Sequence, residues 1–182
     1  MSDREILKSF SKEILIDLLE DQAKNWLAHD GLWLQAVENQ FGLEKAIELD
    51  TEAWIRFTQI EAKRIMKRFD IQPQSGIPAL KKALQYRLYA MINEQSLIEI
   101  DQNTLRFEMN DCRVQSARKR KGLEDFPCKS VGIAEYTYFA HTIDDRIRTR
   151  VICCPPDPHP EEFYCAWQFT LEKESIPQEE LG

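Results

Sequence analysis

Glycine is scarce in this chain, six of 182 residues, which is too few for loops that let a backbone close around phosphate. No G-x-G-x-x-G or G-x-x-x-x-G-K-[ST] run occurs, nor does H-E-x-x-H, G-x-S-x-G or C-x-x-C. The sequence signatures of dinucleotide and P-loop nucleotide binding, zincin proteolysis and α/β-hydrolase catalysis are therefore missing. Histidine is rarer still, three residues, and none follows a glutamate in the Glu-x-x-His pairing of a di-iron helical bundle. Glu38 and Glu61 would serve as acid or base groups only if buried against one cavity.

Positive charge is also in deficit. Lys and Arg number 24 against 31 Asp and Glu, a net charge of −7, so the dense positive field needed for sequence-independent nucleic-acid binding is absent. The local exception, Arg113 with Arg118 to Lys121, suits a phosphate, a carboxylate substrate or an acidic partner; the competing reading is a solvated helix end that Gly122 closes. No apolar run approaches the ~20 residues of a membrane-spanning helix. Met1 to Glu5 carries neither the basic flank nor the apolar core of a secretory signal, so the expected location is the cytoplasm. Five cysteines, an odd number in that setting, argue for free thiols or metal ligands over a disulfide framework.

Proline and soft metal ligands are concentrated in one place, the stretch from Cys153 to Cys165. Pro155, Pro156, Pro158 and Pro160 fix their own φ angles, remove backbone donors and extend the residues before them, so this stretch reads as a rigid loop between two strands. Cys154, His159 and Cys165 bring two thiols and one imidazole close in sequence, and Cys128 completes a set of four. Thiolate and neutral imidazole suit tetrahedral zinc, which makes Cys128, Cys154, His159 and Cys165 a candidate zinc site. The spacing C-x4-H-x5-C is looser than in zinc modules. The competing reading treats the cysteines as small, reduced core residues. Neighbouring strand residues face opposite sides, so only one of Cys153 and Cys154 can point into a given site.

Apolar spacing predicts helices in the first ninety residues. Ile14, Leu15, Leu18, Leu19, Ala23, Trp26 and Leu27 make one stripe over 11–29 that needs burial. Asp30-Gly31 should interrupt it, a second helix should run over 32–41, and a short one over 43–49. Asp50 or Thr51 should cap a long helix to Phe69. Pro78 lies in the first turn of a helix expected to reach Asn93. The period then changes to two: 96–100 and 104–109 flank Asp101-Gln102-Asn103, which is hairpin chemistry. Helices follow over 112–121 and 130–143, then strands on either side of the proline loop. Tryptophans 26, 33, 54 and 167 are expected in the core. His141, at the end of an apolar helix, either lines a pocket with Tyr138 or caps the helix terminus.

These elements make a single α+β domain over 1–182. A helical part spans 1–93, a strand-containing part spans 94–172 with an antiparallel sheet of about four strands and helices on one face, and 173–182 is a frayed tail. The two hairpins leave sheet edges, which suit a homodimer.

Asp111-Cys112-Arg113, Ala117, Gly122-Leu123, Pro127-Cys128, Tyr136, Phe139, Cys154-Pro155 and Cys165-x-Trp167-x-Phe169 occur in an order that resembles a bacterial and archaeal family of uncharacterised cytosolic proteins. So do Gly31-Leu32-Trp33 with Ala36-Val37-Glu38, and Trp54 with Ile60-Glu61-Ala62-Lys63-Arg64. The cysteine pattern is similar, more remotely, to L-2-amino-thiazoline-4-carboxylate hydrolases and the 4-vinyl reductase domain. Those relatives imply an antiparallel sheet covered by helices and a small-molecule pocket. Cys112, Cys128 and Cys165 match recurring cysteine places, and Cys112 joins Tyr138 and His141 as a candidate ligand-binding residue. Two functional classes follow. One is a metal- or small-ligand-binding protein; the other is a hydrolase of a small cyclic amidine or amide, using zinc-bound water or an activated cysteine with His159 or His141 as base.

Overall fold

The structure is a computed structural model that describes residues 3–180. Ser11 caps the first long helix: its Oγ accepts a hydrogen bond from the Ile14 N–H at 3.3 Å. After the short α1 (Asp3–Lys8), α2 (Lys12–Phe41) runs without a break, and so does α3 (Leu43–Phe69). The expected interruptions at Asp30-Gly31 and before Thr51 do not occur. A glycine inside a helix costs only about 1 kcal/mol against alanine, and the packing of α2 on α3 outweighs it. Thr51 donates its hydroxyl back to the Ile47 carbonyl at 2.7 Å instead of capping. The chain reverses only at Gly42, whose φ of +87° is open to glycine and strained for other residues.

The helix that begins near Pro78 is shorter than its pattern suggests. α4 (Gly76–Leu84) gives way to a 3-10 turn at Leu88–Met91, with Arg87 extended between them. The cause lies in α3: Glu61 accepts the Leu88 N–H at 2.9 Å and the Arg87 Nε–H at 2.9 Å. A buried carboxylate thus replaces the helical partners that the backbone gives up.

β1 (Glu94–Asp101) and β2 (Thr104–Asp111) form the first hairpin, whose turn is closed by the Asn103 N–H on Asp101 Oδ1 at 2.7 Å. α5 (Arg113–Arg120) ends at Gly122, φ +66°. The Gly122 and Leu123 N–H groups bond back to Lys119 and Arg118, a Schellman ending. After α6 (Lys129–Ile143), β3 (Ile147–Cys153) and β4 (Cys165–Leu171) complete an antiparallel sheet of order β1-β2-β4-β3. The fold is α+β, with a helical first half and strands in the second.

Period-two patterning aims Leu105, Phe107 and Met109 of β2 and Trp167 and Phe169 of β4 into the core, against Leu80, Leu84, Phe139 and Ile143. α6 approaches the sheet most closely at Gly132, where a Cβ would stand 2.8 Å from Trp167 Cζ2. Trp54 and Trp167 are buried as expected, but Trp33 is 67% exposed. Of the first helical stripe only Ala23 is buried, while Ile14 and Leu19 remain exposed, as do Leu32 and Phe41 farther along α2. α3 and the 3-10 turn are the elements packed most closely on α2, and they cover one narrow side of it. Beyond β4 the chain stays on the body as far as Ile176, which is buried and donates its N–H to the Asp145 carbonyl at 2.8 Å. Fraying therefore does not begin at residue 173. The last two residues of the expected tail lie outside the described residues. No described helix is long and apolar enough to cross a membrane.

Candidate functional site

Thiols from three junctions meet beside Trp167. Cys128 immediately precedes α6, Cys154 follows β3 and Cys165 opens β4. The Cys128 and Cys154 sulfurs are 3.7 Å apart, and the Trp167 indole N–H donates to Cys165 Sγ at 3.4 Å. Cys112, between β2 and α5, is within electrostatic reach of Cys128 and Cys165. The loop leading to Cys128 is held by the buried Gln115, which donates to the Phe126 carbonyl at 2.9 Å and accepts the Phe126 N–H at 2.8 Å. On the other side the proline loop is docked by the Lys129 N–H on the Pro155 carbonyl at 3.0 Å and by the Lys129–Asp157 ion pair at 2.8 Å.

The thiols are unequal. A hydrogen bond from Cys154 pulls Cys128 below the ordinary thiol range, against the opposing effect of burial. Cys154 is pushed up, by Cys128 and Cys165 first and by burial after them. Cys128 is thus the more acidic thiol of the pair. Burial pushes the Cys112 thiol up to about 12.

His159 does not join them. Its Nε2 pairs with Asp125 Oδ2 at 3.0 Å and its Nδ1 lies 2.8 Å from the Pro160 carbonyl, so both ring nitrogens are engaged. Burial would depress its pKa, but the Asp125 and Pro160 contacts outweigh this and raise it. The proline-fixed backbone turns the ring toward Asp125. Among the described residues, no three His, Cys, Asp or Glu side chains are placed to hold one metal ion. His141 contacts the tail through Nε2, 2.9 Å from the Ile176 carbonyl. Tyr138, one turn earlier, is partly buried on α6.

A second constellation, unforeseen apart from Glu61, Trp26 and Trp54, lies among α2, α3, the 3-10 turn and α6. Arg87, 2% exposed, is clamped by Glu61 and meets Glu135 of α6, with Nη1 2.6 Å from Oε1. That last contact lies outside hydrogen-bonding angles. Glu135 Oε1 and Arg87 Nη2 are both buried with no hydrogen-bond partner among the described residues. The guanidinium carbon lies 4.7 Å from the Phe139 ring centre and 5.4 Å from that of Tyr136. Alongside stands an aromatic group: Trp26 stacks on Phe57 at 5.0 Å, and Trp54 stacks on Tyr89 at 5.7 Å. The Thr58 hydroxyl ties α3 to α6 by donating to the Glu135 carbonyl at 3.0 Å.

Asp30 of α2 and Asp50 of α3, both half-buried, lie within electrostatic reach of Glu135. Burial raises Asp50, and the nearby Asp30 and Glu135 carboxylates raise it further, to about 7, although Trp54 opposes the shift. Burial also raises Asp30 and Glu135, against His29 in the first case and Arg87 in the second. A signal for this cluster was present in the sequence. Asp50, Trp54, Phe57 and Glu61 recur at intervals of four, three and four residues, one face of a helix mixing acids with aromatics.

The raised value of Asp50 has a consequence for stability. A carboxyl whose folded pKa exceeds its unfolded one stabilises the fold fully below the unfolded value and loses that contribution as the pH rises through the folded value. For Asp50 that window runs from 3.8 to about 7. Asp50→Asn is therefore expected to stabilise the protein by about 1 kcal/mol at pH 8 and to give no gain at pH 4. Thermal melts at both pH values check this; equal shifts would show that ionising Asp50 costs the fold nothing.

The family model described as "Family of unknown function (DUF6125)" matches residues 8–171. The chain belongs to this family. The matched segment of this DUF6125 member spans all five cysteines and the whole interior cluster. Among solved structures, the chain is similar to the crystal structure of the phenol-responsive sensory domain of the transcription activator PoxR with phenol. Identity is 16% and the TM-score 0.54, over 79% of this chain and 73% of that one. At that identity the likeness concerns the fold. No curated protein matches the sequence.

Proposed function

We propose that this DUF6125 protein binds a small organic ligand in the helical interior beside Arg87 and Glu135, and that its thiol cluster takes a structural zinc ion. The observation that carries the first half is a pair of buried atoms without a hydrogen bond among the described residues, Arg87 Nη2 and Glu135 Oε1, the second held only by its ion-pair contact with Arg87 Nη1 at 2.6 Å. Leaving such a donor or acceptor unsatisfied costs about 1–3 kcal/mol, more when it is charged. A ligand with both an acceptor and a donor would satisfy the two together, and the neighbouring rings of Trp54 and Tyr89 would cover its apolar part. The PoxR domain of similar fold is described as phenol-responsive and was solved with phenol.

The zinc reading draws on the thiols. Sulfurs about 2.3 Å from a tetrahedral zinc stand roughly 3.8 Å from one another, and Cys128 and Cys154 are 3.7 Å apart. Cys165 and Cys112 would complete the set, in place of His159, only by moving toward that pair, since no three of the described side chains stand in position for one ion. Four thiolates would close the site, leaving zinc to tie the loop before α6 to β3 and β4.

Native mass spectrometry of protein prepared without an affinity tag, in zinc-containing buffer and then with phenol, benzylamine or benzoate, tests both halves. One zinc per chain that Cys154→Ser loses, and saturable one-to-one uptake of at least one organic probe, are the expected results. A zinc-free wild type overturns the metal, and no uptake of any probe overturns the ligand site.

A further inference from the structure

α2 is covered only in its middle. Ala23 is its one buried residue, and Trp26 stacks on Phe57 of α3. Ile16 and Leu19 fall on the same stripe, since Ile16, Leu19, Ala23 and Trp26 are spaced by three, four and three residues. They are nevertheless 55% and 58% exposed. The reason lies in α3, which packs more closely on α6 than on α2. Its last turns bury Ile65 and Met66, and Phe69 stacks on Tyr86 at 3.6 Å. Ahead of the uncovered turns comes α1, where Ile6, Leu7 and Phe10 are exposed as well.

Two helix faces of opposite charge are left over. On α2, Glu13, Ile16, Asp17 and Glu20 stand at i, i+3, i+4 and i+7, which is one face. On α3, Leu49, Ala53, Arg56, Ile60, Arg64 and Lys67 recur every three or four residues, and all six are exposed. Lys63 and Arg68 flank that face, which brings its cations to five. Among the described residues the ion pairs of α2 and α3 are Lys24 with Glu20 and Asp21, Lys45 with Glu48, and Glu61 with Arg87. Glu13, Asp17 and the five cations take no part in them. The dipole of α3 accounts for Lys67 and Arg68 in its last turn, but not for the three cations before them. A cleft of about 570 Å³ lies at the same end, lined among the described residues by Arg64, Ile65, Lys67, Arg68 and Phe69.

We propose that the protein forms a twofold dimer in which the acidic, apolar start of α2 in each copy lies along the exposed face of α3 in the other. Both faces belong to one chain, so two copies related by a twofold axis satisfy each other twice and the assembly closes. Ile14, Ile16 and Leu19 then pack against Leu49 and Ile60, and Glu13 and Asp17 meet the cations of α3. A standard interface takes about 800 Å² from each partner, somewhat more than half of it apolar. These half-exposed side chains, the stems of the arginines and lysines, and α1 together offer an area of that order. A nucleic acid or an anionic membrane would also meet the cations of α3, but the net charge of −7 opposes both. Neither would engage Glu13 and Asp17.

Sedimentation analysis of the full chain at about 20 µM is expected to give a dimer that loosens as salt is added. Glu13→Lys with Asp17→Lys, and separately Arg64→Glu with Lys67→Glu, should each weaken it at least about a hundredfold, because like charges then face each other. Mixing the two variants should restore a dimer containing one copy of each. The first variant offers a basic α2 to an acidic α3, and the second offers an acidic α2 to a basic α3. A monomeric wild type overturns the proposal. So does a dimer that survives both reversals, which would place the contact elsewhere, as at a sheet edge. A mixture that stays monomeric, although both variants keep the wild-type melting temperature, overturns it too. If either pair of substitutions lowers the melting temperature, Asp17→Lys and Lys67→Glu alone replace the pairs, with the same expected and overturning results.

Discussion

Arg87→Met is expected to destabilise the protein by about 3–5 kcal/mol at neutral pH, because it strands two buried carboxylates without their counter-charge. Glu61 would keep only the Leu88 N–H, and Glu135 would face Asp30 and Asp50 with no cation between them. Methionine retains much of the packing against Phe139 and Tyr136 that the arginine stem provides. The loss should therefore be electrostatic and should shrink in acid. Burial already raises Glu135, and without Arg87 it would rise further, so protonation relieves the stranded charge at little cost. Urea unfolding at pH 7.5 and pH 5 measures this, and Arg87→Met with Glu135→Gln should recover part of the loss. Equal destabilisation at both pH values, with no recovery, would show that the guanidinium acts through packing alone.

Asp144→Ala should remove about 3 kcal/mol. This carboxylate, wholly buried at the end of α6, accepts the Gly76 N–H at 2.9 Å, the Arg146 N–H at 3.1 Å, and the Arg146 guanidinium at 2.9 and 2.7 Å. It thereby joins the start of α4 to the start of β3, and the same guanidinium donates to the Gln74 carbonyl at 2.9 Å. Burial would raise the Asp144 pKa, but the Arg146 and Gly76 hydrogen bonds outweigh it and hold the group below the usual carboxylate range. A depressed folded value stabilises the protein above the unfolded pKa, and that stability disappears as the pH falls through the folded one. The gap between wild type and Asp144→Ala should therefore be widest near neutrality and narrow in strong acid. Denaturant titrations across that range would sink the idea if the gap stayed constant.

Much of the fold was legible residue by residue. The Asp101-Gln102-Asn103 turn, the glycine ending of α5 and the alternation through β2 rest on interactions within a few residues, and local spacing encodes those directly; the four strands were legible from the same spacing, while the pairing that sets Thr104 against Thr170 is long-range. The nearness of Cys154 to Cys165 was legible in the same way, since the proline loop itself joins them. Tertiary structure decided the rest. His159 carries the same side chain whether it faces sulfur or Asp125, and the path of a distant loop settled which. Glu61, Asp50 and Glu135 look in sequence like any solvated charges of a helix; only the packing of α3 against α6 and the 3-10 turn takes them out of water. Burial of charge depends on what arrives from elsewhere in the chain, and a one-dimensional pattern records spacing rather than desolvation. For the same reason α4 stops early: the energy that ends it belongs to a carboxylate some twenty-six residues upstream of Arg87.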